Sequence, residues 1–120
     1  MDISEEEVLC GSSAYDRKYY FNPKFSRLPE AIQQELKVLC VLFTEEVGGI
    51  FELLFDESGE LLIRTDSNEG DLLYDEIGAG LLVKEIRGKR QELFASLSLF
   101  YRVVFLGQKI ETDEINVENI

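Results

Sequence analysis

The chain has 120 residues, no His, and a formal net charge of -12 that arises from 12 Lys and Arg against 24 Asp and Glu. This length fits one domain, and a hydrophobic content of 45% is enough for a core. The absence of His excludes His-dependent catalytic triads, zincin metal sites and His-ligated haem. Because the mean field of an acidic protein repels phosphates, we expect neither a nucleic-acid partner nor a membrane partner.

Both ends of the chain are predicted to lie outside the folded domain. Residues 1–7 form an acidic N-terminal tail, and residues 108–120 form a C-terminal tail or an edge strand, since Ile115 and Val117 alternate with polar residues. Residues 8–107 are predicted to form a single domain, because no linker-like stretch divides them. The acidic N-terminus does not resemble a signal peptide, so we expect a cytoplasmic protein.

The first predicted elements are two short strands. Residues 18–22 are rich in aromatic side chains and precede Pro23, which is typical of a strand, and Val8 to Cys10 are the predicted hairpin partner across a turn at residues 11–13. Cys10 and Cys40 each lie in an apolar run without a cationic neighbour close by. We therefore expect two buried structural thiols.

The first helix is predicted over residues 29–46. Pro29 suits its first turn, and Gly48 follows its end. A helical stripe of apolar residues supports this assignment: Leu28, Ile32, Leu36, Leu39 and Phe43. From Val38 onward the helix is apolar on every side, so its second half is predicted to be buried all round.

A β-hairpin is predicted next, with strands at residues 49–56 and 60–66. A loop of Glu57, Ser58 and Gly59 places Phe55 opposite Leu61 and Glu52 opposite Arg64. In this register Phe51, Leu53, Phe55, Leu61 and Ile63 share one face, which we expect to be the buried one.

Residues 72–106 are predicted to be one long helix or two helices joined near Gly88. Gly78 and Gly80 weaken its first half and suggest a close crossing with another backbone. The whole order predicts an α+β fold, in which a small antiparallel sheet packs against helices at 29–46 and 72–106.

No nucleophile and base are arranged in a recognisable catalytic pattern, so we expect no enzyme, cofactor or metal site. The candidates for a small-ligand site, or for an enzyme using carboxylates and Tyr, are Tyr15, Asp16, Asp75 and Glu76. Asp75 and Glu76 equally suit the N-terminus of a helix. Weak binding of Mg²⁺ or Ca²⁺ by the acidic loop 66–76 is left open.

The leading functional prediction is a non-catalytic protein–protein interaction module that forms a homodimer. It rests on the apolar stripe of residues 93–104, where Phe100 and Tyr101 are the candidate contact residues. One alternative is the ligand-binding protein or enzyme described above. A second is an acidic regulatory protein that covers a basic partner with residues 45–76, which carry a net charge of -10.

Four stretches together resemble a known family. They are Val8-Leu9-Cys10-Gly11, Lys18-Tyr19-Tyr20-Phe21-Asn22, Cys40 to Gly49 and Tyr74-Asp75-Glu76-Ile77-Gly78. The chain is similar, over about residues 8–107, to small uncharacterised bacterial proteins that share a domain of unknown function. The resemblance implies a bacterial, cytoplasmic, single-domain protein, and it implies no activity, cofactor or site.

Overall fold

The computed structural model describes residues 6–108, and within them the predicted α+β class is confirmed. The elements are β1 (Glu7–Ser13), β2 (Lys18–Phe21), α1 (Glu30–Val47), β3 (Ile50–Phe55), β4 (Leu61–Asp66), α2 (Glu76–Lys89) and α3 (Gln91–Val104). A short 3-10 helix, Pro23–Phe25, joins β2 to α1. Of the predicted tails, residues 1–7 and 108–120, the stretches 1–5 and 109–120, with the edge strand at Ile115 and Val117, lie outside the described residues, whereas Glu7 begins β1.

The four strands form one antiparallel sheet in the order β2-β1-β3-β4. The predicted register of the β3–β4 hairpin is confirmed, because Phe55 pairs with Leu61 and Glu52 pairs with Arg64. Gly59 has a φ of 90°, which is the left-handed conformation that the loop requires. Asp56 closes the same loop, since its carboxylate accepts hydrogen bonds from the backbone N–H groups of Ser58 and Glu60.

The predicted turn at residues 11–13 is wrong. β1 and β2 do form a hairpin, but β1 continues to Ser13 and the turn lies at residues 14–17. Gly11 lies between two strands, where a Cβ would come within 2.8 Å of the Phe51 carbonyl oxygen. The buried hydroxyl of Ser12 donates to the Cys40 carbonyl oxygen at 2.6 Å. Because this core contact satisfies the Ser12 hydroxyl, the residue is compatible with a buried strand.

One face of the sheet carries the core, and helices α1 and α3 pack on it. Phe55 of β3 stacks on Tyr101 of α3 with ring centroids 4.2 Å apart, and Phe43 of α1 lies 4.4 Å from Phe51. On the opposite face the Arg64 guanidinium forms ion pairs with exposed and half-buried carboxylates of Glu6 and Glu52 at 3.0 and 2.9 Å. The molecule is therefore a two-layer arrangement of sheet and helices.

Helix α1 has nearly the predicted bounds, but its second half is not buried all round. Gly48 ends the helix with a φ of 85°. Leu36, Cys40 and Phe43 face the core, whereas Val38 and Leu42 are exposed by 52% and 60%. The sheet covers only one side of α1, so apolar residues on the other side remain in contact with solvent.

The predicted helical segment 72–106 consists of two helices that meet at Arg90. Helix α2 runs antiparallel to α1. The start of α2 is hydrogen-bonded to the end of α1, and the end of α2 lies beside the first half of α1. The backbone N–H of Asp75 donates to the Val47 carbonyl oxygen at 3.1 Å, and Arg90 forms an ion pair with Glu35 at 2.7 Å. The close crossing expected at Gly80 is not found among residues 6–108, since a Cβ there would meet no atom of this part of the chain within 4 Å.

Candidate functional site

The predicted ligand residues Tyr15 and Asp16 lie in the exposed turn between β1 and β2. The Tyr15 hydroxyl donates to the Asp71 carboxylate and accepts from the backbone N–H of Asn68 at 2.9 Å. This hydrogen bond raises the pKa of Tyr15 and lowers the pKa of Asp71. The backbone N–H of Asp16 donates to the Ser13 hydroxyl. Tyr15 thus fastens the β1–β2 turn to the loop before α2.

The predicted site residues Asp75 and Glu76 lie at the start of α2. The Asp75 carboxylate accepts a hydrogen bond from the backbone N–H of Gly78 at 2.9 Å, which makes Asp75 the N-cap of the helix. Glu76 is exposed in the first turn, where the helix dipole stabilises its negative charge. No hydrogen bond within residues 6–108 connects either side chain to Tyr15 or Asp16.

The predicted contact residues Phe100 and Tyr101 belong mainly to the chain's own core. Tyr101 is 7% exposed, and its ring stacks on Phe55 and Phe105. Phe100 is half-buried and packs edge-on against Phe105 at a centroid distance of 6.0 Å. The apolar stripe of residues 93–104 is wide because it packs against Phe25, Phe55 and Phe105 within the chain.

The two cysteines are buried, as predicted, and both are free thiols. Their sulfur atoms lie 3.7 Å apart between β1 and α1. The hydrogen bond with Cys10, together with burial, raises the pKa of the Cys40 thiol. A raised pKa keeps this thiol protonated and unreactive at neutral pH.

The exposed large apolar side chains of α1, of α2 and of the loop that precedes α2 form one group. We name it the α1–α2 apolar surface, and its members are Val38, Leu42, Leu72, Leu73, Ile77 and Leu81. Leu72 and Leu73 are almost fully exposed, at 95% and 92%, while Ile77 and Leu81 are exposed by 79% and 66%. Single exposed apolar residues are ordinary, but a group of this size indicates a contact surface.

A groove between α1 and α2 runs along this surface. Its volume is about 240 Å³, and α1 contributes Val38, Leu42 and Glu46 to its lining. Leu82, Glu85, Ile86 and Lys89 line the side that belongs to α2. Leu81 lies one residue from Leu82 and one turn from Glu85, so the exposed face of α2 continues into the groove.

Charges of opposite sign mark the two ends of the α1–α2 apolar surface. The end formed by the C-terminus of α1 and the start of α2 carries Glu46, Asp75 and Glu76. The other end carries Lys84, Arg87, Lys89 and Arg90 of α2. Glu85 and Glu35 neutralise part of that basic end through ion pairs with Lys89 and Arg90, both at 2.7 Å.

Sequence reasoning missed this surface, although one signal was available. Leu72 and Leu73 follow a polar loop directly, and Ile77 and Leu81 are four residues apart on a helix with a charged remainder. Such a pattern indicates an apolar helix face. What the pattern leaves open is whether the chain itself covers that face.

The described residues, 6–108, contain neither a cluster of metal ligands nor a membrane-spanning helix. No group of three or more Cys, Asp or Glu side chains there is placed to hold a metal ion. Likewise, no helix in the described part of the chain has the length and apolar content needed to cross a membrane.

Over residues 6–108 the fold and the surface define a small α+β domain with exposed apolar residues on its helices. A model of a family of unknown function, DUF6145, matches residues 6–109. The match covers most of the chain, so the protein belongs to this family, and the resemblance to a domain of unknown function is confirmed. No match was found among curated proteins or among solved structures. The bacterial source implied by the resemblance stays a prediction.

Proposed function

We propose that the protein is a non-catalytic interaction module of the cytoplasm that forms a homodimer through the α1–α2 apolar surface. The observation that carries this proposal is the exposure of six large apolar side chains on α1, on α2 and in the loop that leads into α2. Burying one Leu or Ile side chain completely is worth roughly 1.5–3 kcal/mol. An isolated chain forgoes this stabilisation, and a partner helix pair would recover much of it.

The distribution of charge supports a second copy of this chain as the occupant. In a two-fold symmetric contact each patch meets itself, and a two-fold axis perpendicular to the helices makes the two patches run in opposite directions. An antiparallel pairing of two α2 helices therefore brings the acidic end, with Glu46 and Glu76, over the partner's basic end, with Lys84 and Lys89. The same surface in a parallel arrangement would oppose like charges, which costs free energy.

Gly80 supports a close approach of two helices on this face. Glycines in a helix interior are destabilising by roughly 0.5–1 kcal/mol relative to Ala. A Cβ at Gly80 would meet no atom of the described residues within 4 Å. A partner helix packed over Ile77 and Leu81 would use the space that the missing side chain leaves.

The cytoplasmic location is supported by the cysteine pair. Cys10 and Cys40 are free thiols, although their sulfur atoms are only 3.7 Å apart. Disulfides form readily in oxidising compartments and are rare in the cytosol. Two thiols this close would be open to disulfide formation in an oxidising compartment, so a reducing compartment suits their place in the core.

Charge exchange between the two ends of the surface tests the proposal. Glu46→Lys and Lys89→Glu each place like charges in opposition across the two-fold axis, so each should weaken the dimer. The double variant exchanges the signs of the two ends and should restore much of the association. Sedimentation equilibrium of the three variants and the unaltered chain, at equal ionic strength, measures these effects.

Arg27→Glu provides the matched control, because Arg27 is an exposed cation away from the groove. It should leave the dimer unchanged although it alters the net charge as much as Lys89→Glu does. A monomeric unaltered chain at high concentration would overturn the proposal. A dimer that responds equally to Arg27→Glu and Lys89→Glu would overturn the assignment of the surface.

A further inference from the structure

Helix α1 has a second cleft on its other flank, between it and the β1–β2 hairpin. This cleft has a volume of about 880 Å³ and is open to solvent. Arg17 and Lys18 line it from the hairpin, and Lys37 and Glu45 line it from α1. Small-molecule sites are commonly clefts of about 300–1,000 Å³ with a few convergent polar groups.

The three cations of this cleft are not used in ion pairs within residues 6–108. The cations that form such pairs there are Lys24, Arg64, Lys89, Arg90 and Arg102. Acidic residues outnumber basic ones two to one in this chain, so partners for Arg17, Lys18 and Lys37 are abundant. Three cations against the single carboxylate of Glu45 give the lining of this cleft a net positive charge on an acidic protein.

The backbone holds Arg17 in a conformation that residues with a side chain rarely adopt. Its φ is 54°, and no other non-glycine residue among 6–108 has a positive φ. Gly or Asn would occupy this turn position with less strain. The hairpin therefore places Arg17 in the lining of the cleft at the expense of backbone strain.

Hydroxyl groups and an apolar wall complete the lining. The Thr44 side chain is buried and lies 3.1 Å from the Ser12 hydroxyl, and both residues line the cleft. Val41 adds an aliphatic side chain and Tyr19 an aromatic ring to the same lining. The Tyr19 hydroxyl is buried without a nitrogen or oxygen partner, and burial raises the pKa of Tyr19.

We propose that this cleft binds a small phosphate monoester with an apolar or aromatic body. A phosphate group carries about two negative charges at neutral pH and three acceptor oxygens, which matches one guanidinium and two ammonium groups. Arg17 binds two of the oxygens through its planar fork, while Lys18 and Lys37 contribute point charges. The organic body then lies against Val41 and the Tyr19 ring.

Glu45 sets the selectivity of this site. Its carboxylate lies in the lining and repels an anion that sits close to the end of α1. The phosphate group is therefore held at the side formed by Arg17, Lys18 and Lys37, and the uncharged body extends toward Val41. A compound with a second negative charge on its body is disfavoured.

Titration with phenyl phosphate tests the site, with amide chemical shifts of the full chain as the readout. We expect saturable shifts confined to residues 12–19 and 37–45. Arg17→Ala and Lys37→Ala should each weaken binding about tenfold or more, because each removes a charged hydrogen-bond donor. Arg27→Ala removes an exposed cation outside the cleft and should leave the affinity unchanged.

Two comparison compounds separate the contributions of the ligand. Benzoate keeps the ring but replaces the phosphate with a carboxylate, and inorganic phosphate lacks the ring. Both should bind more weakly than phenyl phosphate. Equal binding of benzoate would overturn the phosphate assignment, and equal loss of affinity in Arg27→Ala would show a diffuse charge effect and overturn the site.

This inference does not rest on the dimer. The cleft and the α1–α2 apolar surface lie on different flanks of α1 and share no lining residue with each other. A monomeric chain that binds phenyl phosphate would contradict the homodimer alone. A dimer without saturable binding would contradict the phosphate site alone.

Discussion

Replacing Leu81 by Gln should dissociate the proposed dimer while leaving the fold of each chain intact. Leu81 is 66% exposed in the chain, so about two-thirds of its side chain is available for burial by a partner. Complete burial is worth roughly 1.5–3 kcal/mol, which gives about 1–2 kcal/mol for each copy. A two-fold dimer contains the substitution twice, so its free energy of association weakens by about 2–4 kcal/mol. This corresponds to roughly a 30- to 700-fold higher Kd.

Sedimentation equilibrium over a range of concentrations measures this change in Kd. Gln has nearly the helix propensity of Leu, and substitutions at exposed positions usually change stability by less than about 0.5 kcal/mol. Far-ultraviolet circular dichroism and urea unfolding at low protein concentration should therefore match those of the unaltered chain. Leu106→Gln is the control, since Leu106 is exposed by 40% but lies beyond α3 and outside the surface. A Leu81→Gln chain with unchanged Kd would refute the reasoning.

Three further predictions concern the fold and the loop before α2. Ser98→Ala should lower the free energy of unfolding by about 1–3 kcal/mol in urea titrations, because the buried N–H of Leu61 loses the hydroxyl that accepts it at 3.0 Å; an unchanged midpoint would contradict this. Gly49→Ala should destabilise by more than about 2 kcal/mol, since its φ is 71° and a Cβ would lie 2.5 Å from a backbone carbonyl oxygen, and thermal unfolding checks the loss. Tyr15→Phe should raise the pKa of Asp71 toward its ordinary value, as followed by carbon NMR of the carboxyl group. The lowered pKa stabilises the fold above the ordinary Asp pKa of about 3.9, and this contribution disappears as the pH falls through the folded-state value.

The β3–β4 hairpin could be predicted from sequence to the residue. Strands alternate faces with a period of two, and Gly59 can supply the left-handed residue at only one place in the loop. A shift by one residue would have separated Glu52 from Arg64 and mixed buried with exposed positions. Local geometry and burial favour the same register, so the register can be predicted from the sequence.

The N-terminal hairpin illustrates where local signals mislead. Gly11, Ser12 and Ser13 have the composition of a turn, yet they continue β1 into the middle of the sheet. The reason is tertiary: β3 passes close to Gly11, and α1 supplies the carbonyl oxygen that accepts the Ser12 hydroxyl. Neither contact can be read from the residues on either side of the turn.

Helix α1 and the two candidate surfaces were harder to predict for a similar reason. An apolar helix indicates burial, but the sequence does not reveal how many neighbours the helix has. In this fold the sheet covers only one side, and the position of α2 leaves Val38 and Leu42 open to solvent. The convergence of Arg17, Lys18 and Lys37 likewise depends on how the β1–β2 hairpin folds over α1.

The most direct test of self-association through the α1–α2 apolar surface is an isotope-filtered nuclear Overhauser experiment. The sample mixes carbon-13-labelled chains with unlabelled chains, so that only contacts between two copies give cross-peaks. We predict intermolecular cross-peaks to the methyl groups of Val38, Leu42, Ile77 and Leu81. Their absence in a sample that sedimentation shows to be dimeric, or cross-peaks to Phe100 of α3 instead, would contradict the proposed interface.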